Sequence, residues 1–178
     1  SKGEVLPARL VIAADGRRSI MREEAALPLK TIGAPMDVLW FRLERPAAVG
    51  AESFGALDAG RFLVVINRRS YLQCALVIPK GAGDEIRTQG IAAFRERISG
   101  LIPALDPEIA KLAAMDDVKL LSVSLDRLTR WHRGGLLAIG DAAHAMSPIG
   151  GVGINMAVQD AVVMANVLAA PLARGENP

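Results

Sequence analysis

Apolar and polar positions recur with two different periods along this chain of 178 residues, and the periods divide it. Residues 9–14, Arg9-Leu10-Val11-Ile12-Ala13-Ala14, form an apolar run that stops at Asp15-Gly16, the pattern of a strand ending in a turn. Residues 38–43 alternate, with Leu39, Phe41 and Leu43 on one face and Trp40 and Arg42 on the other. Residues 61–66 and 71–78 are two more strand-like runs, and Asn67-Arg68-Arg69-Ser70 between them completes a hairpin pattern. Residues 120–125 read as a further strand. Between these runs, residues 84–98 place Ile91, Phe94 and Ile98 on one helical stripe. After a break at 100–103, Asp106-Pro107 supplies an N-cap and a first-turn proline for a helix reaching about residue 115. Near the end, Leu136-Leu137-Ala138-Ile139 is a short apolar run of the kind buried on both faces of a sheet. A glycine-rich loop follows. A long helix then carries Ile154, Ala157, Val158, Ala161, Ala165 and Leu168 at helical spacing.

Consecutive strands joined by short turns make residues 26–129 a mainly antiparallel sheet with helices on one side. Residues 1–25 and 130–178 should pack together as a separate, discontinuous domain. The expected fold class is therefore α/β mixed with α+β. Composition narrows the function. Hydrophobic residues make up 51% of the chain against 22% charged, which excludes disorder as a whole. A net charge of +2, with no basic run interleaved with aromatics, argues against nucleic acid. The single Cys74 cannot form an internal disulfide, so a reducing cytoplasm is the expected setting, and its apolar strand predicts an inert buried thiol. Cys74, His132 and His144 do not make a zinc site by local spacing. No signal peptide is expected. The final helix is near membrane length, but Asn155, Gln159, Asp160 and Asn166 interrupt it, so no integral membrane segment is expected.

The chemistry concentrates in residues 134–168. Asp141 follows Gly140 at the carboxyl end of a predicted strand, where open α/β sheets bind ligands, and a carboxylate there can accept hydrogen bonds from ribose-type hydroxyls. Pro148 stiffens the loop, and Gly150, Gly151 and Gly153 can take positive φ and admit a flat ring close to the backbone. The helix beginning near Ile154 and Asn155 offers unpaired N–H groups and the positive end of its dipole to an anion.

This segment resembles the second flavin motif of the class A flavoprotein monooxygenases, the para-hydroxybenzoate hydroxylase-like enzymes: Gly140-Asp141-Ala142-Ala143-His144, Pro148, Gly151, Gly153, Asn155, and Gln159-Asp160 on the helix. The resemblance implies that Asp141 holds the ribityl chain of FAD, that the Pro148 region lines the flavin face, and that the backbone at Gly153, Ile154 and Asn155 meets the pyrimidine edge. It implies a structural His144. Asp15-Gly16, with Arg18, Ser19 and Arg22, resembles the same family's middle motif near the flavin diphosphate and the nicotinamide cofactor, although Ala13 stands where the family often has Gly. There Asp15 can orient hydroxyls or water, Gly16 permits a tight turn, and Arg18 and Arg22 can offset phosphate charge.

The family's first G-x-G-x-x-G unit, which binds the ADP half of FAD, has no counterpart, and the chain opens on the polar, turn-like Ser1-Lys2-Gly3-Glu4. The expectation is the later part of a longer enzyme: a remnant of a Rossmann-like FAD-binding domain plus a mainly antiparallel substrate layer. That layer would roof the flavin with Trp40, Arg42 and either Tyr71 with Gln73 or Cys74 with Leu72, since only one strand face can point to the site. Arg42 could pair with a carboxylate or phenolate of a small-molecule substrate. The implied activity is hydroxylation of an aromatic or other small organic substrate with NAD(P)H and O2. Alternatives are a flavin-dependent reductase, a halogenase (whose W-x-W-x-I-P box is absent) or a non-catalytic binding module. No acid/base residue is assigned, because the flavin carries the chemistry. A missing neighbour beside the 9–14 strand would leave an open edge and promote self-association.

Overall fold

The structure is a computed structural model that describes residues 3, 5–148 and 150–176. Of the polar opening, Ser1, Lys2 and Glu4 lie outside the described residues. In chain order the elements are β1 (Val11–Ala13), α1 (Ile20–Glu24), β2 (Leu29–Thr31), β3 (Met36–Glu44), β4 (Phe54–Asp58), β5 (Arg61–Asn67), β6 (Tyr71–Pro79), α2 (Gly83–Ile98), α3 (Asp106–Ala110), β7 (Lys119–Leu121), β8 (Asp126–Leu128), β9 (His132–Arg133), β10 (Leu136–Ala138), β11 (His144–Ala145) and α4 (Gly153–Ala173). They form two compact units, Ser1–Gly33 with Ser124–Pro178, and Ala34–Val123.

In the first unit β1 and β10 run parallel, with Val11 opposite Leu136 and Ala13 opposite Ala138, and β9 pairs antiparallel with β10. A second small sheet has the order β11-β8-β2. Residues 26–33 and 124–129, which the sequence pattern assigns to the middle layer, thus meet each other here, because Leu29–Thr31 pairs with Leu128–Asp126. The buried cluster is built from small side chains: Ala13, Ala138, Ala142 and Ala143, with Leu27 and Leu128. Alanines let backbone approach backbone. Leu136, Leu137 and Ile139 are only half-buried, so the apolar run is not covered on both faces. Helix α4 turns one stripe inward, Met156, Ala157, Asp160, Ala161, Met164 and Leu168, at three- and four-residue spacing. Ile154 (79% exposed), Val158, Val162, Val163 and Val167 lie outside that stripe and are exposed. By length and composition alone α4 could cross a membrane. Its inward stripe, with a hydrogen-bonded carboxylate in the middle, is that of a packing helix.

The second unit is a five-stranded antiparallel sheet of order β4-β5-β6-β3-β7. Alternation sorts its two faces. Leu39, Phe41, Leu43, Leu63, Leu72 and Leu76 enter the main core, where α2 and α3 add Phe94, Ile98 and Ile109. Each such side chain, fully buried, contributes about 1.5–3 kcal/mol. Phe41 and Phe94 meet edge to face, centroids 5.3 Å apart. Helix α2 bends at Gly90 (φ 82°), and Ile91 beyond the bend is half-buried, while Ile86 joins Phe94 and Ile98 in the core.

Two local expectations are corrected. Asp106 does not cap α3 but is its first residue, and its carboxylate accepts the N–H of Gly100 (2.9 Å). The helix stops at Ala110, and Met115–Asp117 is a separate 3-10 turn, because Leu112 turns into the core. The strand expected at 120–125 is paired only through Leu121. Beyond it, Val123 donates its N–H to Asp37 (2.9 Å) instead of continuing the ladder.

Candidate functional site

Parallel pairing of β1 with β10 sets their carboxyl ends side by side, and the N–H of Ile139 bonds to the carbonyl of Ala13 (3.0 Å). The two turns that follow, Asp15-Gly16 and Gly140-Asp141, therefore open beside each other. With the first turns of α4 they enclose a groove of about 550 Å3 lined by Ala14, Gly16, Gly140, Asp141, Gly153 and Ile154. Both motifs singled out in the sequence contribute to it.

Asp141 lies in a 3-10 turn, and its carboxylate is 3.4 Å from the guanidinium of Arg17, 124 residues away in sequence. Both side chains are 37% exposed, so water screens the pair and its own stabilisation is under about 1 kcal/mol. Gly140 has φ +58°, and a Cβ there would come 3.2 Å from that of Ala157 on α4. Asp160, one turn further along α4, accepts the N–H of Gly140 (2.9 Å) and lies 2.6 Å from Nε2 of His144. His144 is buried beneath Trp131, ring centroids 5.0 Å apart.

The loop before α4 is a turn in which Gly151 donates to the carbonyl of Pro148 (3.1 Å), and Gly150 (φ 89°) and Gly151 (φ 64°) take the left-handed conformation expected of them. Gly153 does not. It opens the helix without positive φ, and a Cβ would rest 3.6 Å from that of Met146, an ordinary contact. Val152, the N-cap residue of α4, makes no side-chain cap bond. The first turn of the helix meets the groove at Gly153 and Ile154, with Asn155 exposed.

The middle motif divides its labour differently from the sequence reading. Gly16 (φ +84°) makes the turn and lines the groove. Asp15 turns to α1, accepting the N–H of Met21 (3.3 Å). The Ser19 hydroxyl, aided by backbone N–H groups, holds its carboxyl below the usual value. Arg22, expected to face phosphate, instead donates to the carbonyls of Ala142 (3.2 Å) and Arg17 (2.9 Å), stitching the two motifs together. Arg18 is exposed, and no protein group among the described residues holds its guanidinium. Arg17 and Asp160 are the residues that sequence reasoning left without a role. The only signals for them were adjacency to Asp15-Gly16 and the Gln-Asp pair on the last helix.

In the second unit, strand register puts the two sets of β6 side chains on opposite faces of the sheet. Arg42 pairs with Gln73 and Glu44 with Tyr71, and the Arg42 guanidinium stacks 4.0 Å over the Tyr71 ring. Gln73 donates to the carbonyl of Phe41 (3.3 Å). Trp40, Arg42, Tyr71 and Gln73 thus share the partly open face, while Cys74 and Leu72 are fully buried in the main core. Burial pushes the Cys74 thiol up to about 12, which makes it inert at neutral pH. No cluster of metal-ligating side chains occurs among the described residues.

A sequence family described as an FAD binding domain matches residues 1–177. The chain is 37% identical over 174 residues to the 6-methylpretetramide 4-monooxygenase of Streptomyces rimosus, a match covering 97% of this chain and 41% of that protein. Its fold is similar to that of a probable FAD-dependent monooxygenase from Pseudomonas aeruginosa (TM-score 0.78, 21% identity, 93% of this chain and 47% of that one). It is also similar to Klebsiella pneumoniae HpxO complexed with FAD and uric acid (TM-score 0.73, 23% identity, 94% and 46%). The chain spans less than half the length of these relatives. With the family's pattern running over nearly every residue and two of its motifs meeting in one groove, the chain belongs to the FAD-binding domain family.

Proposed function

We propose that this chain is part of an FAD-dependent monooxygenase that uses NAD(P)H and O2 to hydroxylate an aromatic or other small organic substrate. The observation that carries the reading is the convergence of Gly16 with Gly140, Asp141, Gly153 and Ile154 in one groove. Their chemistry fits FAD. A carboxylate is a strong acceptor for ribityl hydroxyls, glycine and alanine walls admit a flat ring, and the N-terminal end of α4 offers N–H donors and a positive dipole to an electron-rich edge. Bound FAD would supply the redox chemistry that couples NAD(P)H and O2 to hydroxylation of the substrate. The protein's part is to bind, orient and exclude water. Asp141 anchors the ribityl chain, Arg17 beside it and the exposed Arg18 offset diphosphate charge, and the first turn of α4 favours negative charge on the ring.

For the substrate, the face bearing Trp40, Arg42, Tyr71 and Gln73 supports a flat molecule carrying a carboxylate or phenolate. The Arg42–Tyr71 stack pre-orients a planar cation beside an aromatic wall. The first unit would then be the flavin-binding portion and the second the substrate portion, working in a reducing cytoplasm that suits the lone buried thiol. The Streptomyces relative is named as a monooxygenase, which agrees with this reaction class. The test is a flavin fluorescence titration with a visible spectrum of the loaded protein. Asp141→Ala should weaken FAD binding by on the order of 1.5 kcal/mol, about tenfold in Kd. Unchanged affinity would leave a resemblance of fold without the cofactor site.

A further inference from the structure

We propose that Asp160 and His144 form a positioning pair that sets the turn carrying Asp141. The inference rests on the reading that Asp141 contacts the cofactor. Three observations place the pair at that task. First, the Oδ2 atom of Asp160 takes the N–H of Gly140, the residue immediately before Asp141, at 2.9 Å. Second, the same turn is pressed on α4 at Ala157, where no side chain larger than the hydrogen of Gly140 fits without displacement, and Ala157 and Asp160 are neighbours on one helix face. Third, the far end of the turn is held by Arg22 through the carbonyl of Ala142 at 3.2 Å. The turn is thereby fixed at both ends and underneath, and Asp141 projects from it into the groove.

His144 belongs to this arrangement through the state of its ring. The Asp160 carboxylate is an acceptor, so at 2.6 Å the ring donates to it from Nε2. Nδ1 is buried without a hydrogen-bond partner among the described residues. A buried polar atom left unpaired costs stability and calls for an explanation. The ring is oriented to hold Asp160 at the expense of its own second nitrogen. A phenyl ring would fill the same space under Trp131 more cheaply, but it would leave the carboxylate free to swing away from Gly140.

The experiment uses the full chain labelled with 15N. It reads the ring nitrogen shifts of His144, the hydrogen exchange of the Gly140 amide, and FAD affinity by fluorescence. Both bonds end on one oxygen, Oδ2, so in Asp160→Asn an amide oxygen in its place accepts from Gly140 and from Nε2 alike. The ring proton should therefore stay on Nε2, with Gly140 exchange held within about threefold. In Asp160→Ala, Gly140 exchange should accelerate about tenfold or more and FAD affinity should fall about tenfold. His144→Phe should accelerate Gly140 exchange by less than Asp160→Ala. The proposal is overturned if Asp160→Ala leaves Gly140 exchange unchanged, if Asp160→Asn moves the ring proton off Nε2, or if His144→Phe matches the wild type. Asp141→Ala separates the two readings. If it leaves FAD affinity unchanged, or if no form of the chain takes up FAD, the cofactor reading fails, and the tautomer and exchange measurements still decide the positioning pair.

Discussion

At Gly140 a methyl group would have to share space with Ala157 while the backbone sits at φ +58°, a conformation that costs an L residue about 1 kcal/mol or more. Gly153 has neither constraint. Gly140→Ala should therefore lower the thermal stability of the first unit by about 1–3 kcal/mol, and Gly153→Ala should change it by less than about 0.5 kcal/mol. Circular dichroism melts of the two variants check this, and equal effects would show that the turn does not press on α4. The contrast also marks what the sequence could convey. A glycine next to Asp141 and a glycine-rich loop leading into a helix were legible in the sequence, but which glycine needs its freedom depends on Ala157, seventeen residues on from Gly140, closing over the turn. Arg22 shows the same limit. Its charge suggested phosphate, yet once β1 and β10 pair, two backbone carbonyls lie within its reach and take it. Arg17 acquires Asp141 by the same long-range pairing.

Among the elements, β3, β5 and β6 lie close to their expected bounds because alternation over seven to nine residues is a strong signal. Register places Tyr71 and Gln73 beside Arg42 on one face and Cys74 on the buried one. Short elements were less legible, since β7 and α3 end where a core contact or a side-chain bond outcompetes the local pattern. Asp37 is such a bond. It is buried near the start of β3 and takes donors from Gly81 (2.9 Å), Val123 (2.9 Å) and Lys80 (2.8 Å). Burial works to raise its pKa, and these donors outweigh it, so the carboxyl lies below its ordinary 3.8. A depressed folded-state pKa gives stability that is complete above the unfolded value and is lost as pH falls through the folded one. Asp37→Asn should cost on the order of 2 kcal/mol at pH 7, and the gap from wild type should narrow below about pH 4. Urea melts at pH 7 and pH 3 test the sign; a pH-independent gap would assign the loss to packing. Helix α4 leads to a further expectation. With Val158, Val162, Val163 and Val167 exposed, the chain should associate as concentration rises, and Val163→Glu should oppose it. Sedimentation velocity decides, and a monodisperse monomer at high concentration would contradict it.

Across the whole molecule the two units have unequal interiors. One is filled by phenylalanine, leucine and isoleucine around Phe41 and Phe94, the other largely by alanine. Apolar area buried scales with side-chain size, so the amides of β3, β5 and β6 should exchange more slowly than those of β1 and β10 by about tenfold or more. A single common rate would mean that both units open together. One feature of the second unit reaches beyond stability. Its first and last strands, β3 and β7, are paired neighbours with Val38 opposite Leu121, and Asp37 grips Val123 where the chain departs. In the first unit, Ile32 and Gly33 both donate to the carbonyl of Leu125 (2.9 and 3.1 Å), so the chain leaves and rejoins that unit at nearly one point. A ninety-residue insertion with closed ends is a cassette. Its length can change without breaking the pairing of β1 with β10 beside Asp141, because both ends of the insertion are tied off where they leave the first unit.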